Sequence, residues 1–172
     1  MPKLISGRSA LVDSRGSILQ VVKTTKTTAV STTAPQTYVE IDNLTLTTKG
    51  ANSSFFVMGS AHAYSNASQS RANIGFQIGS TFIAGKNGTG DTWGHNVGGQ
   101  GGLINRHIIT DQTYAIGTSL TFRLMGATWD ANYTNPPTNS IHEPMIFNWG
   151  SQVSTPVDYG HETCLTVMEI AN

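Results

Sequence analysis

The segment Asn73-Ile74-Gly75-Phe76-Gln77-Ile78-Gly79-Ser80-Thr81-Phe82-Ile83-Ala84 decides the fold class. Ile74, Phe76 and Ile78 recur at period two, the spacing that puts side chains on one face of a strand. Gly79-Ser80 interrupts the pattern, and Thr81-Phe82-Ile83 resumes it. Two short alternating runs around a two-residue Gly-containing break read as a β-hairpin.

The same reading extends in both directions. Upstream, Ser17 to Lys23 is a strand rich in β-branched residues, and the Thr-dominated stretch Lys23 to Thr33 reads as an exposed or edge strand. Tyr38 to Thr47 alternates, with Leu44-Thr45-Leu46-Thr47 resuming after Asn43, and Lys49-Gly50-Ala51-Asn52 is a turn. Ser54 to Tyr64 is a long strand. Downstream, Leu103 to Thr110, Ser119 to Thr128, Ile141 to Trp149 (interrupted by Pro144) and Glu162 to Ala171 read as strands. Three long loops separate them, at 86–102, 129–139 and 151–161. Eight to ten short strands with no helical stretch predict an all-β protein, an antiparallel β-sandwich of jelly-roll type. Val21, Ile41, Phe56, Phe76, Phe122 and Val167 are expected in its core. Residues 1–15 show no sustained periodicity and read as an N-terminal arm before a sandwich domain spanning 16–172.

Composition narrows the function. Lys+Arg and Asp+Glu are 10 each in 172 residues, and charged residues make up 12%, about half the usual share of ~25%. A neutral chain lacks the basic footprint of a nucleic-acid binder, so no direct nucleic-acid partner is expected. Sparse charge suits a protein that hides much of its surface against neighbours. No apolar run approaches the ~20 residues that cross a bilayer, and the start, Met1-Pro-Lys-Leu-Ile-Ser-Gly-Arg, has no apolar signal core.

No catalytic, cofactor or metal site emerges. His62, His95, His107, His142 and His161 form no spaced ligand pair, and each of His142-Glu143 and His161-Glu162 puts its two residues on opposite faces of a strand. Gly98-Gly99-Gln100-Gly101-Gly102 lacks the Lys-Ser/Thr and the helix of a phosphate loop. Cys164, the single cysteine, lies in an alternating strand and reads as a buried structural residue. Five Asn-x-Ser/Thr sequons, at Asn43, Asn52, Asn66, Asn87 and Asn132, are a by-product of the Ser/Thr-rich composition. A carboxylate pair for glycan hydrolysis leaves no sequence signature here. The expectation is a protein that is not an enzyme and carries no cofactor.

Two sets of residues are candidates for binding. In the arm, Leu4, Ile5, Leu11 and Val12 accompany Lys3, Arg8 and Arg15, apolar anchors with positive charge suited to docking on an acidic surface. In or beside the loops stand Trp93, Trp129, Tyr133, Trp149 and Tyr159. Such aromatics cap the ends of a sandwich, anchor subunit contacts or stack on sugars.

Gly16-Ser-Ile-Leu-Gln-Val-Val-Lys at the start and Leu165-Thr-Val-Met-Glu-Ile-Ala at the end, with Tyr38-Val-Glu-Ile-Asp-Asn-Leu-Thr-Leu and Ser53-Ser-Phe-Phe-Val-Met-Gly-Ser between, resemble the small β-sandwich domain of tailed-phage structural proteins. Marine phages are the particular likeness, where this domain often ends tail-fibre chains. The resemblance spans Gly16 to Ala171. It implies a virion location, a homotrimer, and a larger virion protein as partner, such as the major capsid protein or a tail protein. Lys49-Gly50-Ala51 replaces the Pro/Ser-rich turn expected of that domain, and only a short arm precedes the sandwich. The arm favours a capsid decoration or cement protein; a receptor-binding tail fibre or tail tip is the alternative.

Overall fold

The computed structural model describes residues 16–32, 37–64, 71–85, 95–96, 102–129, 145–148 and 162–172. These form eleven strands and no helix: β1 (Ile18–Lys26), β2 (Val30–Thr32), β3 (Val39–Thr47), β4 (Ser54–Tyr64), β5 (Arg71–Ile78), β6 (Thr81–Ala84), β7 (His95–Asn96), β8 (Gly102–Asp111), β9 (Ser119–Trp129), β10 (Met145–Phe147) and β11 (Thr163–Ile170). One sheet runs β1-β11-β4-β8, with β10 and β2 beside the far end of β4, and the other runs β3-β9-β5-β6, with β7 beside β5. All pairings are antiparallel.

The eight main strands pair in a nested order: β1 with β11, β3 with β9, β4 with β8, β5 with β6. A long hairpin, closed at the Gly79-Ser80 turn and folded over so that its pairs alternate between two sheets, is a jelly roll. Gly79 takes φ 60° in that turn, a value that glycine adopts without a Cβ clash. The segment that decides the fold in the sequence is thus the closed end of the whole hairpin.

The core lies between the sheets. Phe55, Val57, Ala61 and Ala63 of β4, with Leu165 and Val167 of β11, face Ile41, Leu44 and Leu46 of β3, Ile74 and Phe76 of β5, and Leu120, Phe122 and Leu124 of β9. The rings of Phe55 and Phe122 meet across the gap at 5.3 Å. Two glycines admit these bulky groups. A β-carbon on Gly59 would lie 2.8 Å from both Leu124 Cδ1 and Phe76 Cε1, and one on Gly126 would lie 2.5 Å from Phe147 Cζ and 2.6 Å from Ile41 Cδ1. The close fit of the sheets depends on those notches.

Of the expected core, Ile41, Phe76, Phe122 and Val167 are buried. Val21 and Phe56 are not. Val21 is 53% exposed, and its neighbour Val22 packs on the core instead. Phe56 points outward from β4 while Phe55 and Val57 point inward. Both are parity errors: where two apolar residues are adjacent, alternation alone does not say which faces in. Cys164 is half-buried on an outer face, not enclosed in the core. The Thr-rich stretch is an edge, as expected, because β1 and β2 stand at opposite ends of their sheet. The strand expected over 141–149 is β10 in its described part, Met145–Phe147. The arm (1–15) and most of the three loops lie outside the described residues.

Gly126→Ala should lower stability by about 1–3 kcal/mol, the usual cost of overpacking a filled core. Adding Phe147→Leu should recover part of the loss. Thermal unfolding followed by circular dichroism checks both, and an unchanged midpoint in the single variant would refute the notch.

Candidate interaction surface

The outer faces of the two sheets differ in chemistry. On the β3-β9-β5 sheet the outer side chains of β3 and the neighbouring part of β9 are polar, with Met125 and Ala127 farther along β9. Arg123 Nε lies 3.2 Å from Glu40 Oε2, Asn43 Nδ2 donates to Glu40 Oε1 at 2.6 Å, and the hydroxyls of Thr45 and Thr121 are 3.0 Å apart. Asn43, Arg123 and Gln77 align across three strands. Around β3 this is the usual wet face of an antiparallel sheet; toward β5 it is covered, and Gln77, Asn73 and Met125 are buried.

The outer face of β1-β11-β4-β8 is the drier one, apolar along one row with mixed rows on either side. Cross-strand register places Val21 beside Met168, Met168 beside Phe56, and Phe56 beside Ile109. One unbroken apolar row therefore crosses all four strands. The row on one side is Lys23, Thr166, Met58 and His107, and the next is Thr25, Cys164, Ser60 and Asn105. The row on the other side is Ile18, Ile170, Ser54 and Asp111. Ile109 is 67% exposed, Ile18 59% and Met58 41%, so these side chains meet water in the isolated chain. The Phe56 and His107 rings lie 5.9 Å apart, tilted by 38°. Contiguous exposed apolar surface of this kind marks interaction sites.

One end of this sheet is tied to the connection between β3 and β4 by a buried carboxylate. Glu169 of β11 faces inward and is fully buried. It accepts hydrogen bonds from the backbone N–H of Lys49 (2.9 Å) and Gly50 (2.8 Å), from Ser53 Oγ (2.9 Å) and from Gln20 Nε2 (2.5 Å). Burial alone pushes its carboxyl up. The donors outweigh burial, with the Gly50 and Lys49 amides foremost, and hold it below the ordinary glutamate value. Asp42, at the irregularity in β3, moves the other way, because burial outweighs the Asn43 amide and the Lys26 charge.

The candidate docking residues Leu4, Ile5, Arg8, Leu11, Val12 and Arg15 lie outside the described residues, as do Trp93, Tyr133, Trp149 and Tyr159. Trp129 ends β9, its backbone paired with Arg71 of β5. Among the described residues no three of His, Cys, Asp and Glu gather as a metal site, and no helix is long and apolar enough to cross a membrane. The dry face is what sequence reasoning missed. Its signal was present as doubled apolar residues, Val21-Val22, Phe55-Phe56, Ile108-Ile109 and Val167-Met168, in strands that turn out to be neighbours.

No family model matches the chain, and no curated protein matches it. Among solved structures it is similar to infectious bursal disease virus Gx strain (TM-score 0.43, 11% identity, 89% of this chain and 37% of that one). It is also similar to T=1 particles derived from the same virus (0.44, 12%, 89% and 36%) and to that virus's VP2 subviral particle (0.42, 10%, 89% and 38%). The chain spans a little over a third of those it matches. A likeness at this level assigns neither family nor activity.

Glu169→Gln should destabilise the protein by about 1–3 kcal/mol at neutral pH, the cost of disturbing hydrogen bonds to a buried charge. The sign with pH follows from the lowered folded-state value: the carboxylate's contribution is full above the ordinary glutamate range and fades as pH falls through the folded value. Urea unfolding of both proteins across an acid series should show the gap between them narrowing on acidification. A gap constant with pH would remove the carboxylate from the account.

Proposed function

We propose that this chain is a non-enzymatic structural protein on the surface of a virus particle, a capsid decoration or cement protein docked through its N-terminal arm. The observation that carries this reading is the contrast between the faces of the sandwich, one hydrogen-bonded through polar side chains around Glu40 and Arg123, the other crossed by an exposed apolar row. A chain with one dry face is suited to standing in an assembly with that face covered and the other in water. The jelly roll is a fold of capsid and lectin domains, though a fold hosts many functions, so the face carries more weight than the topology. The resemblance to phage structural proteins adds the phage virion as the setting, with a capsid or tail protein as the larger partner. Self-association belongs to the same reading, and the resemblance implies a trimer.

A second reading, a receptor-binding tail fibre or tail tip, draws on Trp93, Trp129, Tyr133, Trp149 and Tyr159 in or beside the loops, since exposed aromatics stack on sugars and anchor protein contacts. Copy number separates the two. Quantitative peptide counting on purified virions should find the chain in the stoichiometry of a capsid component, and a handful of copies per particle would favour the tail. Deleting residues 2–14 should leave a folded protein that no longer joins virions. Undiminished incorporation would move the anchor away from the arm.

A further inference from the structure

We infer that the dry face packs against the same face of a second copy of this chain, about a two-fold axis, with Val21, Met168, Phe56 and Ile109 at the centre of the contact. The inference deepens the assembly reading above by naming the neighbour that covers this sheet.

Size is the first argument. β4 and β8 pair over ten residues, Ser54–Ala63 against Asp111–Gly102, and the face is four strands wide. At about 3.4 Å per residue and about 4.8 Å between strands, that is a patch of about 650 Å² in plan. A standard interface buries about 800 Å² of accessible surface per partner. Crossed at right angles, as the charges at its corners require, two such faces overlap over a square about 19 Å on a side, about 370 Å² in plan, the scale of a weak, concentration-dependent pair.

Charge is the second argument, because it selects a copy of the chain over an unrelated partner. Two exposed charged groups stand at diagonally opposite corners of the three rows centred on the apolar one: Lys23 on β1, one row to one side, and Asp111 on β8, one row to the other side. A two-fold contact is self-complementary, so whatever Lys23 meets, Asp111 meets in reverse. The corners are three strands apart across the sheet and four residues apart along it, about 14 Å in each direction. The diagonal joining them thus lies at about 45° to the strands. A two-fold axis along the other diagonal places Lys23 opposite the partner's Asp111, twice. It also crosses the strands of the two copies at about 90°, one of the two preferred ways that sheets stack. One face meeting one other about a two-fold axis makes a pair, where the resemblance implies a three-fold assembly.

Sedimentation equilibrium of the full chain at micromolar concentration tests this. The expected result is a dimer. Ile109→Asp and Val21→Asp, both at exposed positions, should give monomers with unchanged far-UV spectra. Lys23→Asp should weaken dimerisation by about tenfold, and the double variant Lys23→Asp/Asp111→Lys should recover it. A wild-type monomer or trimer would overturn the two-fold pair. Aspartate variants that sediment like the wild type would overturn the face, and charge reversals without mutual rescue would overturn the corner pairing. Virion incorporation is read in a separate experiment, so loss of the dimer contact and loss of the assembly reading are distinguishable.

Discussion

The fit of aromatic rings into two glycine notches sets everything outside it. Phe147 and Ile41 crowd Gly126, and Phe76 and Leu124 crowd Gly59, so each sheet carries a hollow where the other carries bulk. Each large apolar side chain buried this way contributes about 1.5–3 kcal/mol, and a shift of register by one residue in any strand would turn its whole inner set to solvent. The notches therefore lock strand parity across the sandwich. Once Phe55, Val57 and Gly59 face inward, Phe56 and Met58 must face outward. Once Val167 and Leu165 face inward, Met168 and Thr166 must face outward. The dry face is a consequence of that locking acting on strands with apolar residues on both sides.

Much of the jelly roll was legible because it is built from local signals. The Gly79-Ser80 hairpin, the alternation of Leu120, Phe122 and Leu124 in β9 and the extent of β4 all follow from period two and turn chemistry. Even the irregularity in β3 left a mark: inward residues are odd at Ile41 and even at Leu44 and Leu46, and Asn43 is where the written pattern restarts. Parity at doubled apolar positions was not legible. Val21-Val22 and Phe55-Phe56 satisfy both phases, and the choice is made by partners far along the chain, Val167 for β1 and β4 alike. The interaction surface was illegible for the same reason. Four apolar pairs scattered over about 150 residues become a row only after β1, β11, β4 and β8 are placed side by side.

Charge placement gives the asymmetry its second cause. The chain has 10 acidic residues, and several are committed away from the dry face. Glu40 sits with Arg123 and Asn43 on the wet sheet, Asp42 is buried at the irregularity of β3, and Glu169 is enclosed beneath the 49–53 turn. Glu169 earns its burial because two backbone amides, a hydroxyl and a side-chain amide converge on it, whereas Asp42 has one oxygen without a hydrogen-bond partner among the described residues. The two carboxylates accordingly shift in opposite directions. In the three rows centred on Val21, Met168, Phe56 and Ile109, Lys23 and Asp111 are the lysine and carboxylate that remain, at diagonally opposite corners.

That arrangement divides affinity from orientation. Association costs on the order of 4–15 kcal/mol in lost translational and rotational freedom. Full desolvation of four side chains such as Val21, Met168, Phe56 and Ile109 on each copy returns a sum of that same order, at about 1.5–3 kcal/mol each. Phe56 and Met168 are already half-covered within one chain, so the return is smaller than that figure and the contact is poised, sensitive to protein concentration and to single substitutions. A poised apolar contact has no intrinsic direction, since apolar burial is non-directional. The corner charges supply the direction: a salt link at an exposed rim is worth little in affinity, about 0–1 kcal/mol, but it penalises every arrangement that leaves like charges opposed. In this face the apolar row provides the attraction, and Lys23 with Asp111 determines which of the possible crossings is used.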